Sequence, residues 1–403
     1  MDVKEVRKNV LEQLNYTNDV KDEVVLECIN NQMKEALSHE YLSIHSWRYI
    51  RKKVFDSLRR LDVLQELVDD PSITEIMVNG PDNIFIERNG RIIKAEQCFE
   101  SREKLEDVIQ KIVSNTNRVV NESNPIVDSR LDNGSRVNVV LYPIARNGPI
   151  LTIRKFPDKP ITMDRLLELG SLNVEVAEFL EKLVIARYNI FISGGTGSGK
   201  TTFLNALSNF IPKDERIITI EDSAELQIRE IENIVSLEVR NANVEGNNGI
   251  SIRDLIKSAL RMRPDRIVLG EVRDAAAVDL LSAMNTGHDG SLSTGHANSC
   301  EDMIYRLETL VLMGLDIPLS SVRRQIVSAL DLIIHLGRLR DKTRRVLEIT
   351  EVLDCQNGEV VLNPLYYFKE TGVDANGRII GGLVRTDNPF VHKDKLDKAG
   401  VVL

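Results

Sequence analysis

Three different patterns of apolar and polar positions follow one another along this chain. In residues 1–66 apolar residues recur at helical spacing among many charged ones. One apolar stripe repeats every four residues, and its members are Val25, Ile29, Met33 and Leu37. The pattern predicts a helical N-terminal extension that carries no catalytic motif.

Residues 67–156 alternate short apolar runs with turn signals. Residues 73–93 have the spacing of a β-meander, and the helical pattern of residues 104–117 follows them. Two further strand-like runs lie at residues 136–144 and 150–156. We expect a small α/β domain here.

Residues 157–403 begin at a linker that contains Pro157 and Pro160, and then alternate strand-like and helical segments. This alternation is typical of a parallel sheet with crossover helices. The strand candidates are residues 190–193, 217–220, 267–269, 292–294 and 332–336. Residues 252–262 carry a helical apolar face, and the pattern at the end of the chain predicts a β-rich tail.

A glycine-rich loop follows the first of these strand candidates, and a helical pattern follows the loop. The loop has the spacing Gly-x-x-x-x-Gly-Lys-Thr, and its residues are Gly194, Gly195, Thr196, Gly197, Ser198, Gly199, Lys200, Thr201 and Thr202. Glycines let successive backbone N–H groups point at a phosphate, and the helix N-terminus adds a favourable dipole. In this motif Lys200 reaches the β- and γ-phosphates, and the Thr201 hydroxyl ligates Mg²⁺. We therefore expect ATP and Mg²⁺ as cofactors.

An acidic residue, Glu271, lies just beyond the strand candidate at residues 267–269. In open α/β sheets ligands bind at the carboxyl ends of the strands. We expect Glu271 to polarise the attacking water and to bind Mg²⁺ through water. The preceding position, where comparable P-loop strands carry an acid, is Gly270.

A second acidic group closes the strand candidate that lies between these two segments along the chain, and it consists of Glu221, Asp222 and Glu225. A separate strand at this place is typical of the RecA-like branch of P-loop proteins. One of these carboxylates, with Glu221 as the first candidate, is expected to help hold Mg²⁺ or the water. A helix N-cap at Asp222 and Ser223 is the structural alternative, and it is compatible with the functional role.

Two histidine turns, Gly287-His288 and Gly295-His296, flank the strand candidate at residues 292–294. A single histidine is more often structural than catalytic. Because two of them flank one strand of a P-loop domain, we expect His296 to sense the γ-phosphate, and His288 is a second candidate.

The formal net charge of −9 disfavours a basic nucleic-acid-binding face, because neutralisation of phosphates drives such binding. The four cysteines are far apart, so no zinc site is expected, and a reducing cytoplasm suits them. The chain shows neither a secretory signal nor an apolar stretch of about 18 residues. We expect a cytoplasmic protein that meets the membrane only through partners.

Four segments, GGTGSGKTT, ITIEDSAEL, RPDRIVLGEVR and TGHDGSLSTGHANS, occur in this order. They resemble the Walker A motif, Asp box, atypical Walker B motif and His box of the secretion-ATPase superfamily, which drives type II and type IV secretion and type IV pili. The tail FKETGVDANGRIIGGLVRTDNPFVHKDKLDKAGVVL resembles that of the Tad/Flp pilus assembly ATPase branch. The resemblance extends over residues 67–403.

The resemblance implies a RecA-like P-loop ATPase domain, preceded by a smaller, PAS-like α/β domain and by the helical extension. It also implies a homohexameric ring that hydrolyses ATP against a membrane platform protein. In this superfamily arginines of the smaller domain reach the nucleotide phosphates, to which a guanidinium offers a fixed donor fork. The matching positions are Arg130, Arg136 and Arg154, and further candidates are Arg261, Arg263 and Arg273.

Three functions are compatible with these residues. The first is a motor ATPase for pilus assembly or secretion, which works with inner-membrane platform proteins and without nucleic acid. The second is a RecA-like nucleic-acid translocase, which the acidic charge disfavours. The third is a nucleotide-gated scaffold without hydrolysis, against which the intact Lys200, Thr201 and Glu271 argue.

Overall fold

The computed structural model describes residues 3–14, 20–37, 43–88, 90–116, 118–156, 160–240 and 249–403. The chain divides into two compact units, Met1–Asp158 and Lys159–Leu403. The three-part division expected from the sequence, with boundaries after residues 66 and 156, stays a prediction. Pro157 of the expected linker and the side chain of Leu37 lie outside the described part.

The first unit combines a helical segment with an antiparallel sheet. Its helices are α1 (Val3–Gln13), α2 (Asp22–Leu37), α3 (Ile44–Arg59), α4 (Leu64–Asp69) and α5 (Arg102–Ser114). Its strands are β1 (Ile73–Asn79), β2 (Ile84–Arg88), β3 (Arg91–Lys94), β4 (Ile126–Arg130), β5 (Arg136–Val140) and β6 (Ile150–Arg154). The strands pair in the order β3-β2-β1-β6-β5-β4.

Two separate cores stabilise this unit. Helices α1, α2 and α3 bury a cluster that includes Val25, Ile29 and Met33 of the predicted stripe. Helices α4 and α5 pack on the sheet around alternate strand residues such as Ile76 and Val78. The sequence did not predict β4, because its two buried positions are Val127 and Ser129 and one apolar residue makes no alternating pattern.

The second unit is a mixed α/β structure. Its helices are α6 (Met163–Glu168), α7 (Val174–Ile185), α8 (Lys200–Ser208), α9 (Ile252–Ala259), α10 (Ala276–Met284), α11 (Cys300–Leu312), α12 (Leu319–Ala329) and α13 (Asp394–Ala399). Its strands are β7 (Ile190–Gly194), β8 (Ile217–Glu221), β9 (Ile234–Glu238), β10 (Arg266–Leu269), β11 (Leu292–Gly295), β12 (Leu332–Arg338), β13 (Arg344–Gln356), β14 (Glu359–Val373) and β15 (Ile379–Arg385).

All these strands join one sheet in the order β15-β14-β13-β12-β7-β11-β10-β8-β9. The strands from β12 to β9 in this order run parallel, and β13, β14 and β15 extend the sheet in antiparallel fashion. Alternate residues of β7 enter different cores, since Ile190 and Ile192 face one and Phe191 faces the other. The expected parallel sheet with crossover helices is confirmed, and so is the α/β fold class.

Buried charged side chains form hydrogen bonds at the amino ends of the parallel strands. The fully buried guanidinium of Arg266, at the start of β10, donates to both carboxylate oxygens of Glu215 at 2.5 and 3.0 Å and to the Val184 carbonyl at 2.6 Å. The fully buried Glu351 accepts hydrogen bonds from the backbone N–H groups of Val391 and His392 in the tail. These contacts fix the edge opposite to the one that carries the predicted site.

One buried carboxylate in the helical segment lacks such partners. Asp56 of α3 is 2% exposed, and neither side-chain oxygen accepts a hydrogen bond. The nearest cation, Arg60, stands 3.7 Å away. Burial raises the pKa of Asp56, and the charges of Arg60 and Lys52 oppose that rise. The ionised carboxylate therefore destabilises the folded helices at neutral pH.

We expect Asp56→Asn to unfold at higher denaturant concentration than the wild type at pH 7. Because the pKa of Asp56 is raised in the folded state, the wild type loses stability as pH rises from the ordinary value of 3.8 through the raised pKa. The difference between the two proteins should therefore shrink toward low pH. Urea titrations followed by fluorescence of Trp47 measure it, since this single tryptophan lies in α3. A difference that is constant between pH 4 and pH 8 would contradict the account.

Candidate functional site

The predicted site segments meet at one edge of the large sheet. Strands β7, β11, β10 and β8 are parallel neighbours, so their carboxyl ends lie side by side. The glycine-rich loop follows β7, His296 follows β11, Glu271 follows β10, and Glu221 closes β8. The sheet therefore gathers residues from Gly195 to His296, which are far apart in the chain, as the fold rule for ligand sites in α/β sheets predicts.

The loop between β7 and α8 forms an open cradle. Gly197 and Gly199 adopt left-handed conformations, with φ of 71° and 95°. A side chain at Gly195 or Gly197 would point into open space, with no heavy atom within 4 Å. Gly199 is the N-cap of α8, which begins at Lys200. The loop thus leaves room for a phosphate in front of a helix N-terminus.

Lys200 is buried and contacts the loop from inside. Its Nζ donates to the carbonyl oxygens of Gly194 at 3.0 Å and Gly195 at 3.1 Å, and it lies 3.3 Å from Nδ1 of His296. The ammonium group therefore lies between the phosphate loop and the strand end of β11. Two predicted site residues, Lys200 and His296, are in direct contact.

Glu271 lies on the other side of His296. Its Oε1 is 2.9 Å from Nε2 of His296, although this buried oxygen accepts no hydrogen bond of regular geometry. Its Oε2 accepts from Arg273 at 2.7 Å, and Arg273 also donates to Asp222 at 3.0 Å. Lys200, His296, Glu271, Arg273 and Asp222 therefore contact one another in this order. The His296 imidazole has the positive Lys200 on one side and the negative Glu271 on the other.

The surroundings of His296 favour the neutral form of its imidazole. Burial lowers the pKa of His296 below its ordinary value of 6.5, the nearby charge of Lys200 lowers it further, and the Glu271 carboxylate opposes them. Because Nδ1 faces the donating ammonium of Lys200, we assign the proton to Nε2, which faces Glu271. A neutral ring with this tautomer has one donor and one acceptor, and each faces a charged group.

Glu221 is held by the backbone that follows it. Its buried Oε1 accepts from the N–H groups of Glu225 at 2.8 Å and Leu226 at 2.9 Å. A Cβ at Gly270 would lie 3.0 Å from the Glu221 side chain, so glycine at 270 makes room for the carboxylate of the neighbouring strand. The expected helix N-cap at Asp222 and Ser223 is wrong, because no helix begins there and the segment is a loop closed by Glu221.

His288 lies outside the site. It precedes β11, at the amino end of the strand, whereas the loop and Glu271 are at the carboxyl ends. Its Nδ1 is 3.2 Å from the carbonyl oxygen of Ala283 at the end of α10. Only His296 of the two histidine candidates is brought to the loop. The glycine before it is required by packing, since a Cβ at Gly295 would stand 2.8 Å from the ring of Phe191.

The structure adds contacts that the sequence did not reveal. His335 of β12 lies beside β7, with Nδ1 3.0 Å from Ser193 Oγ, and burial lowers the pKa of His335. Arg344, at the start of β13, donates to the Gly197 carbonyl at the loop at 2.8 Å. Both residues are more than 130 positions from the loop along the chain, so no local pattern signals them.

A cavity of about 210 Å³ lies next to the loop within the second unit. Apolar side chains form much of its wall, and Lys342, Arg344 and Arg345 lie at its side. Its lining residues from the loop and α8 are Ser198, Gly199, Thr202 and Phe203. Ser198 Oγ is buried without a hydrogen-bond partner, and Oε1 of Glu271 accepts no hydrogen bond of regular geometry. These two oxygens and the open glycine cradle are compatible with a nucleotide and its hydrated Mg²⁺. Among the residues that the structure describes, no cluster of three or more histidine, cysteine or acidic side chains has the geometry of a metal site.

The three predicted arginines form a row across the sheet of the first unit. Arg130 of β4 pairs in register with Arg136 of β5, which pairs with Arg154 of β6. Residues directly opposite each other in a sheet share a face, and like charges in such pairs are destabilising. The row continues to Glu75 of β1. Arg130, Arg136 and Arg154 therefore lie on one face of this sheet.

The residues 58–377 match the model of the family described as type II/IV secretion system protein. The chain belongs to this family. It is 36% identical over 310 residues to the conjugal transfer protein TrbB of Rhizobium radiobacter, covering 76% of this chain and 91% of that protein. It is 30% identical over 332 residues to the type IV secretion system protein VirB11 of Bartonella henselae, covering 73% and 92%.

Solved structures support the fold of this secretion family member. The ATPase DotB of Legionella pneumophila covers 73% of the chain with a TM-score of 0.52 and 23% identity. The pilus retraction motor PilT with bound ADP covers 85% with a TM-score of 0.52 and 19% identity. The RecA-like ATPase fold with a smaller domain before it is thereby confirmed. Among the described residues, no helix has the length and apolarity needed to cross a membrane.

The contacts of His296 predict how its titration responds to its two neighbours. We expect a pKa below 6.5 in the wild type, a higher pKa in Lys200→Met, where the repulsion is removed, and a lower pKa in Glu271→Gln, where the stabilising carboxylate is lost. NMR spectra of protein labelled at its six histidines measure these values. A His296 pKa that neither substitution moves would show that the contacts do not exist in solution.

Proposed function

We propose that this family member is an ATP-hydrolysing motor that works as a homohexameric ring in the cytoplasm and powers assembly of a Tad/Flp-type pilus. The proposal is supported by the contacts of His296 with Lys200 and with Glu271 at the edge of the sheet, beside an open phosphate loop. The intact Lys200, Thr201 and Glu271 argue against a scaffold that only binds nucleotide.

The loop residues Gly194 to Thr202 bind the triphosphate. When phosphates enter the cradle, Lys200 exchanges the carbonyls of Gly194 and Gly195 for phosphate oxygens, which offer a charge-assisted contact. Thr201, in the first turn of α8, would supply a hydroxyl for Mg²⁺, and Glu221 and Glu271 would hold the ion through water. The cavity beside the loop accommodates the base.

Glu271 polarises the attacking water through Oε1, and His296 senses the γ-phosphate. Mg²⁺ held at this site would neutralise charge on the phosphates, and Glu271 positions the water. Departure of Lys200 from Nδ1 of His296 leaves a neutral ring nitrogen free to change partner, so binding of phosphate alters the contact between His296 and Glu271. His296 therefore links nucleotide state to the catalytic carboxylate without acting as the base.

The arginine row of the first unit completes the site in the assembled protein. Arg130, Arg136 and Arg154 contact the phosphates and neutralise the charge that develops during hydrolysis. The register of β4, β5 and β6 supports this role, since it places the three arginines on one face of the sheet. The role of these residues thus couples domain movement to the state of the nucleotide.

The C-terminal tail and the helical segment support the Tad/Flp assignment over other branches of the family, because the tail sequence from residue 368 resembles that branch. The membrane platform proteins of the pilus machine are the proposed partners, and nucleic acid is not. A second candidate is a type IV secretion or conjugation motor, which the identity to TrbB and VirB11 favours. Identification of the membrane protein that co-purifies with the chain separates the two.

Substitutions in the loop and at Glu271 should separate nucleotide binding from hydrolysis. We expect Lys200→Ala to lose ATP affinity and turnover together, because it removes the cation that holds the phosphates. Glu271→Gln should keep ATP affinity within a few-fold and lose about 10²–10⁴ in kcat, the usual contribution of a positioned acid–base group. Phosphate release and equilibrium ATP binding are the two measurements.

The matched controls are Lys213→Ala and Glu230→Gln, which break an exposed ion pair of the same unit. Both should behave as the wild type. Normal turnover in Glu271→Gln would move the catalytic role to another carboxylate, with Glu221 the next candidate. No turnover in any assembled wild-type preparation would favour the scaffold.

A further inference from the structure

Arg273 lies two residues after the proposed catalytic carboxylate and contacts it directly. One outer nitrogen of its guanidinium donates to Oε2 of Glu271 at 2.7 Å, and the other donates to Oδ2 of Asp222 at 3.0 Å. Asp222 follows β8 and Glu271 follows β10, which are paired neighbours in the sheet. One guanidinium therefore joins the ends of two strands.

The contact with Arg273 determines how Glu271 presents its two oxygens. Oε2 is engaged by the guanidinium, so the terminal torsion of the carboxylate, which is otherwise broad, is restricted. Oε1 is left buried, without a regular hydrogen bond, and directed toward the His296 side of the site. That is the geometry a carboxylate needs to accept a proton from a water next to the phosphate.

The electrostatics of the group agree with this geometry. The hydrogen bond to Glu271 is the largest cause that raises the pKa of Arg273, so this contact favours the charged guanidinium. Glu271 is 19% exposed, whereas Asp222 and Arg273 are 40% and 54% exposed. Arg273 thus contacts the partly buried carboxylate of Glu271 on one side and the more exposed carboxylate of Asp222 on the other.

We propose that Arg273 is a positioning residue that holds Glu271 in its catalytic orientation, with Asp222 orienting Arg273 in turn. The inference rests on the proposed role of Glu271. In this role Arg273 stays bound to the carboxylates of Glu271 and Asp222 and does not contact the phosphates. A guanidinium that moved to a phosphate would leave two carboxylates without their shared cation.

A double-mutant cycle of Arg273 and Glu271 tests this assignment. Arg273→Ala should lower kcat by about 10- to 100-fold, the effect of a small misplacement of a reacting group, with ATP affinity within about threefold of wild type. Arg273→Lys should restore part of kcat, and Asp222→Asn should lower it less than Arg273→Ala. In the Glu271→Gln background, Arg273→Ala should change kcat less than about twofold, because residues that act as a unit are not additive.

Retention of ADP in the presence of Mg²⁺ and aluminium fluoride gives a second readout that does not depend on turnover. The trapped complex requires an oriented water site, so Arg273→Ala should trap ADP poorly while binding ADP alone as the wild type does. Arg253→Ala is the matched control, since it breaks a 2.6 Å pair with Asp279 elsewhere in the same unit and should leave kcat and trapping unchanged.

Three results would overturn the inference, and each is distinct. Equal losses of kcat for Arg273→Ala in the wild-type and Glu271→Gln backgrounds would assign Arg273 to the phosphates. A lowered thermal midpoint with proportional loss of all activities, not restored by lysine, would make the ion pair merely structural. Absence of turnover and of trapping in the wild type would instead refute the proposed function, and the inference with it.

Discussion

Parallel pairing of β7, β11, β10 and β8 is the constraint on which the site depends. Each strand carries a different functional group at its carboxyl end, and the groups meet only because the four strands are neighbours in register. At the opposite edge, the buried pair of Arg266 and Glu215 fixes the start of β10. Breaking a buried pair typically costs about 3–5 kcal/mol, so this edge holds the strand whose other end presents Glu271.

Positively and negatively charged side chains contact one another in series at the carboxyl ends of these strands. Asp222, Arg273, Glu271, His296 and Lys200 contact one another in this order, and the neutral imidazole separates the carboxylate from the ammonium. In the proposed mechanism, a triphosphate adds negative charge at the Lys200 end and withdraws that cation from His296. Its effect would then reach Glu271 through the contact between His296 and Glu271.

Local patterns account for what the sequence predicted correctly. The glycine loop, the strand ends and the stripe of Val25, Ile29 and Met33 are short-range features, and the structure contains them. The contact of Arg344 with the loop and the pairing of His335 with Ser193 depend on β12 lying beside β7, which no local spacing reveals. The N-cap expected at Asp222 failed because Glu221, which occupies the space beside Gly270, takes the backbone N–H groups itself.

In the proposed mechanism, Lys200 leaves the loop carbonyls for phosphate while Arg273 keeps Glu271 in place. A crystal structure of the assembled Glu271→Gln protein with Mg²⁺ and ATP is the decisive experiment. We expect Lys200 Nζ on the β- and γ-phosphate oxygens, no longer on Gly194 and Gly195, with Arg273 still beside residue 271 and Asp222. A nucleotide bound elsewhere, or Lys200 still on the two carbonyls with ATP in the loop, would contradict it.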